Sequence, residues 1–210
     1  MAASLERQYW RGLVLGRRKQ MDAFTLYTAD TVNGTAADTL AGISEKLGFL
    51  PNVFAAMAGS APALAGFVAL NRHFAEASLS PLEREIVQTV ISATNQSAYC
   101  VAGHTAFSDL QDLDSAAIEA VRRGQPINDA KLQALRLFAS QMLARKGQLP
   151  AAELTAFLEA GYSHDQVFEV ILGIALKVIS NLASNVAQLD LDVPFAPYAW
   201  TLPEAVKQVA

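Results

Sequence analysis

The chain has 210 residues, 52% hydrophobic and only 17% charged, with a formal net charge of −4. That length suits one domain with a sizeable core, and so little charge leaves part of the surface to be buried between subunits. Residues 1–20 carry Arg7, Arg11, Arg17, Arg18 and Lys19 against Glu6, which leaves −8 for the remainder, a balance that argues against nucleic acid or an anionic membrane as partner.

A single cysteine, Cys100, excludes an internal disulfide and any all-cysteine metal site. His73, His104 and His164 lack zinc-ligand spacing, so no metal is expected. A lone thiol fits a reducing, cytoplasmic setting. The most apolar run, 170–176, stops at Lys177, so no transmembrane helix is expected, and the N-terminus lacks the apolar run of a secretory signal. Residues 1–22 read as a loosely ordered basic extension, or as sequence upstream of a natural start at Met21; residues 23–195 read as one helical domain, and residues 196–210 as a tail.

In chain order, 24–34 is an irregular lead-in. Residues 36–47 form the first helix, with Leu40, Ile43 and Leu47 on one face and Gly48 as its stop. Pro51 and Asn52 begin a short helix to Met57, and Ser60 caps the next, 61–77. Ser80, Pro81 and Glu83 make a capping box with proline at the first helical position, the sharpest boundary in the chain. The helix that follows, to about Asn95, buries Leu82, Ile86, Val87, Val90 and Ile91. Its other face carries Glu85, Gln88, Thr89, Ser92 and Gln96, one carboxylate among small neutral groups. That stripe suits either a semi-buried polar channel or an ordinary wet face.

Ser97 caps a helix over 98–110, and Asp114 another over 115–123. Asn128 or Asp129 begins a helix to about Lys146, with Leu132, Leu135, Phe138, Ala139 and Met142 inward. Pro150 starts one that ends before Gly161, and Ser163 caps the last, to about Leu189. This last helix is apolar nearly all round, hence central or interfacial, except for Lys177, Asn181 and Asn185, which read as buried hydrogen-bonding or interface residues. The tail after Asp190 holds three prolines and should wrap the surface or a neighbouring subunit. No strand pattern survives, and the expected fold is all-α and multihelical.

Chemistry concentrates at residues 85–104. Cys100 and His104 share a helix face, and Cys100 sits in the first turn, where free N–H groups and the helix dipole favour a thiolate. If the chain reverses near Gln96, Glu85 and His104 differ in depth by roughly 4–5 Å, within reach of a side chain or one water. A Glu–His–Cys relay is therefore feasible. Against it stands the ordinary role of a helical cysteine as a small buried apolar residue.

These residues resemble the carboxymuconolactone decarboxylase and alkylhydroperoxidase-D family, and the peroxidase-related branch most. The family pattern is a Glu twelve residues before Cys-x-x-Cys-x-x-x-His. Glu85, Cys100 and His104 occupy its Glu, second-Cys and His places, and Ser97 stands where the first Cys would be. The stretch Leu47-Gly-Phe-Leu-Pro-Asn52, then Ala61-Pro62, and Leu26-Tyr27-Thr28 extend the likeness over 24–195. The resemblance implies an all-helical subunit in trimers or hexamers, without a cofactor, acting on a small hydroperoxide or organic substrate. It implies Cys100 as the peroxidatic thiol, His104 as its base and Glu85 as the orienting relay member. Ser97 cannot close a disulfide, so reduction would fall to an external thiol; Tyr99 reads as packing or pocket wall. The alternatives are a non-redox acid–base enzyme of the decarboxylase type and a non-catalytic helical oligomer.

Overall fold

The computed structural model describes residues 24–203, and the expected basic extension lies outside them. The described residues are helical, with no strand among them. In chain order the helices are α1 (Thr35–Leu47), α2 (Asn52–Met57), α3 (Ala61–Ala75), α4 (Pro81–Thr94), α5 (Ala98–Leu110), α6 (Ser115–Arg122), α7 (Ala130–Ala144), α8 (Ala151–Glu159) and α9 (His164–Ala187), then a 3-10 segment at Val193–Tyr198.

Helix α4 is the axis of the molecule. Its start is fixed by the expected capping box: the Glu83 N–H donates to Ser80 Oγ at 3.2 Å and the Ser80 N–H donates to Glu83 Oε2 at 2.8 Å. From there α4 packs against α5, α6, α7 and α9. So surrounded, it buries most of its polar stripe as well as its apolar one: Glu85, Gln88, Thr89 and Ser92 are inside, while Gln96, beyond the helix end, is exposed. The wet-face alternative is thereby overturned.

Two expected caps differ in outcome. Asp129, not Asn128, starts α7, accepting the Leu132 N–H at 2.8 Å. Ser60 makes no side-chain capping bond at the start of α3, where Pro62 removes one of the N–H groups such a cap would serve. On the inward face of α7, Leu135, Phe138 and Ala139 are buried as expected, and Leu132 and Met142 are partly so.

Helix α9 is two-faced. Val170, Gly173, Leu176, Lys177, Ser180, Asn181 and Ser184 are buried, whereas Phe168, Ile171, Ile179, Leu182 and Val186 are exposed along the opposite side. By length and composition it could cross a bilayer, contrary to the sequence expectation. Its buried face, however, is the polar one and packs on α4 and α3, as a core helix does. Close approach is built in at Gly173: a Cβ there would lie 2.6 Å from the Phe74 ring and 3.0 Å from Val87.

The tail folds back on its own subunit. Phe195 is buried, and its ring meets Tyr99, Phe107 and Phe49 edge-on at centroid distances of 5.8, 5.4 and 5.5 Å. Farther on, Arg122 donates to the carbonyls of Tyr198 and Ala199, and the Trp200 indole N–H donates to the Arg122 carbonyl at 2.8 Å. Trp200 packs on Ala93 and Val101. Residues 204–210 of the expected tail lie outside the described residues.

Candidate functional site

The antiparallel pair α4–α5, crossed by α9, brings Glu85, Cys100, His104 and Lys177 to one end of a cavity of about 640 Å³. Gln88, Tyr99, Gly103, Phe107, Ser180 and Phe195 line the same cavity, and Phe54 and Phe67 add to its apolar wall. That volume is within the range of small-molecule sites.

Cys100 is held in the first turn of α5 by its own helix cap: its N–H donates to Ser97 Oγ at 3.4 Å. Ser97 Oγ lies 2.8 Å from Ser184 Oγ on α9, and Ser184 Oγ lies 3.6 Å from the sulfur. The two hydroxyls thus form a short chain ending at the thiol. Ser184 also donates to the Asn181 carbonyl at 3.1 Å. With one hydroxyl proton, Ser184 can donate to that carbonyl or to the sulfur, but not to both at once.

Burial pushes the Cys100 thiol up, but the Lys177 charge and hydrogen bonds from Ser97, Ser184 and Asn181 outweigh it and hold the group below its ordinary value. Cys100 is 4% exposed and lines the cavity.

His104 is oriented from both sides. Its Nδ1 lies 2.8 Å from Glu85 Oε2, and its Nε2 lies 2.6 Å from Lys177 Nζ. The arrangement assigns the tautomer: Nδ1–H donates to the carboxylate and the Nε2 lone pair accepts from the ammonium. Burial, then the Lys177 charge, hold the imidazole below its ordinary value against the opposing pull of Glu85, so the ring is neutral near pH 7. Gln88 Nε2 donates to the other Glu85 oxygen at 3.4 Å. Burial likewise lowers Lys177, opposed by Cys100 and Glu85.

The expected Glu85–His104 contact is thus present, but no hydrogen bond joins His104 to Cys100. The i, i+4 spacing sets both on one helix face, but the second ring nitrogen is taken by Lys177, which itself makes no hydrogen bond to the sulfur. Tyr99 is a cavity wall tied down at its phenol, which donates to Asp192 Oδ2 and accepts the Val53 N–H at 3.2 Å. Asp192 in turn accepts the Asn52 N–H at 3.1 Å, joining the tail to the start of α2. Among the described residues no three His, Cys, Asp or Glu side chains gather as a metal site.

Sequence reasoning placed Lys177 among hydrogen-bonding residues but not in the site. The available signal was a lysine inside an otherwise apolar helix, with Ser180, Asn181 and Ser184 continuing its face. Phe195 gave no such signal.

Residues 61–139, the segment that holds Glu85, Ser97, Cys100 and His104, match the model of the carboxymuconolactone decarboxylase family. No curated protein sequence matches the chain. Several solved structures share the fold. A peroxidase-related protein with an alkylhydroperoxidase AhpD core, from Ralstonia eutropha JMP134, superposes with a TM-score of 0.74 at 21% identity, covering 82% of this chain and 93% of that one. A peroxidase-related protein from Silicibacter sp. TM1040 gives 0.71 at 22% identity, covering 86% and 97%. The debrominase Bmp8 in complex with 2,3,4-tribromopyrrole gives 0.70 at 16% identity, covering 86% and 96%. The architecture is therefore that of the alkylhydroperoxidase-D core, as the sequence motif implied.

Proposed function

We propose that the protein is a one-cysteine hydroperoxide reductase. The Cys100 thiolate attacks the terminal oxygen of an organic hydroperoxide. An S–O bond forms, the O–O bond breaks, and the products are Cys100 sulfenic acid and an alcohol. One external thiol then displaces water from the sulfenic acid to give a mixed disulfide. A second releases Cys100 and leaves as the external disulfide. Ser97 takes no electrons in this cycle; it caps α5 and steadies the thiolate.

The observation that carries this reading is a thiol held ionisable beside a buried ammonium at the inner end of an apolar, aromatic-walled cavity. Cavity chemistry favours hydroperoxides with an apolar body over hydrogen peroxide itself. We further infer a cytoplasmic homo-oligomer, in keeping with the exposed apolar side of α9.

The test is mass spectrometry of Cys100 after cumene hydroperoxide, with dimedone to trap sulfenic acid. Trapping is expected in the wild type and absent in Cys100→Ser. Failure of the wild type to react faster than free cysteine would remove the reading. A second reading draws on the Glu85–His104–Lys177 chain, which is complete without sulfur and could do acid–base work on a small organic acid. That activity would survive Cys100→Ser, whereas hydroperoxide turnover would not.

A further inference from the structure

We propose that Lys177, and not His104, is the group that works directly on the sulfur and the reacting oxygen, as counter-ion of the Cys100 thiolate and proton donor to the departing alkoxide. The counter-ion role stands by itself; the proton-donor role rests on the hydroperoxide reading.

Lys177 is a buried amine without a carboxylate partner. It is 4% exposed and projects from the buried face of α9 into the cavity end shared by Glu85, Cys100 and His104. An ammonium has three N–H donors. Among the described residues only one acceptor reaches it, the neutral His104 Nε2 at 2.6 Å, and no carboxylate lies within ion-pair distance. Glu85 is engaged by His104 Nδ1 and Gln88. A buried cation left without an anion is strongly destabilising. The other anion this cavity end can supply is the Cys100 thiolate.

The groups around the sulfur support this assignment. From α9 come Lys177, with the neutral Ser184 and Asn181; from α4 comes Glu85, whose charge His104 separates from the ammonium. From α5 itself come His104 and Tyr99, and Tyr99 is bound to Asp192 on the tail. Lys177 is the one basic amine in this set, and a thiolate at Cys100 favours its protonated form. His104, neutral with its Nε2 lone pair already taken, is poorly placed to accept the thiol proton.

The two remaining Lys177 donors are available to an oxygen bound over the sulfur. When the thiolate attacks the terminal oxygen of a hydroperoxide, the O–O electron pair passes to the inner oxygen, which takes a proton from the ammonium and leaves as the alcohol. The amine then regains a proton from water admitted by the cavity. Glu85 and His104 hold Lys177 in place through the 2.8 and 2.6 Å contacts.

The experiment compares the wild type, Lys177→Met and Lys177→Arg, each checked for helicity by circular dichroism. The first readout is the pH profile of Cys100 alkylation by iodoacetamide. A midpoint below about 8.5, the value of an ordinary cysteine, is expected for the wild type and Lys177→Arg, and one above it for Lys177→Met. Each unit of that shift lowers the thiolate fraction at neutral pH tenfold. The second readout is single-turnover oxidation by cumene hydroperoxide at neutral pH, each rate divided by that protein's thiolate fraction from its alkylation profile. Arginine keeps the charge but does not give up its proton, so Lys177→Arg should be at least about tenfold slower than wild type. A Lys177→Met profile that matches wild type overturns the counter-ion role. A Lys177→Arg oxidation rate equal to wild type overturns the proton-donor role, and this variant decides that point even if methionine prevents folding. A wild type inert to hydroperoxide whose alkylation midpoint still depends on Lys177 would sink the hydroperoxide reading alone.

Discussion

At the scale of the residue, the site is a line of groups whose protonation states depend on one another. His104 illustrates the consequence for pH. Its folded-state value lies below the ordinary one, set first by burial and then by Lys177. Below about pH 6.5 the unfolded ring takes a proton that the folded ring refuses, so the unfolded state binds more protons. Stability from this group is complete above that pH and is lost as pH falls toward the depressed value. A series of melting temperatures should therefore fall below pH 6.5, with a shallower slope in His104→Gln than in wild type. The same variant should slow single-turnover oxidation of Cys100 by about tenfold or more, because Lys177 loses its support. Of these residues, Glu85, Cys100 and His104 were legible in the sequence, since their spacing on two consecutive capped helices already brings them to comparable depth. The His104–Lys177 contact was not legible. Periodicity tells which face of α9 a lysine occupies, but not which side chain of another helix meets it, seventy-three positions away.

Among the helices, capping chemistry and close approach make separable contributions. Ser80 satisfies one N–H of α4, and its partner Glu83 also pairs with Lys131 at 3.1 Å, which ties α4 to α7. Ser80→Ala should cost about 1 kcal/mol in urea unfolding, the usual loss for a serine cap. Gly173→Ala should cost about 1–3 kcal/mol in the same measurement, because the added methyl meets the Phe74 ring at 2.6 Å and rings in a packed core have little room to yield. The first effect follows from sequence alone: Ser80, Pro81 and Glu83 spell out a helix start whose geometry is local. The second does not. Gly173 lies mid-helix among apolar residues, and its use as a contact point with α3 and α4 exists only once three helices are assembled. The buried stripe of α4 falls between these cases. Its composition was unusual for a wet surface, but only the packing of α5, α6, α7 and α9 around it decided that Glu85, Thr89 and Ser92 lie inside.

Across the whole molecule, two surfaces organise what lies beyond the site. The exposed side of α9, with Phe168, Ile171, Ile179, Leu182 and Val186, is the apolar stripe that the sparing use of charge in the sequence led one to expect somewhere. Leu182→Glu should shift the protein toward monomer in sedimentation velocity without moving the alkylation midpoint of Cys100, since Leu182 faces away from the cavity. The other surface is the folded-back tail. Its prolines foretold a wrapping segment, yet nothing in their spacing indicated that Phe195 would become a wall of the cavity or that Trp200 would tuck beside Ala93 and Val101. Trp200, with its indole N–H fixed to Arg122, gives the protein an optical gauge of whether that wall is in place. In a Trp10→Phe background its emission should be blue-shifted in the native state and move to longer wavelength as the strap peels away, so that fluorescence reports the opening of the site separately from the far-ultraviolet signal of helix loss.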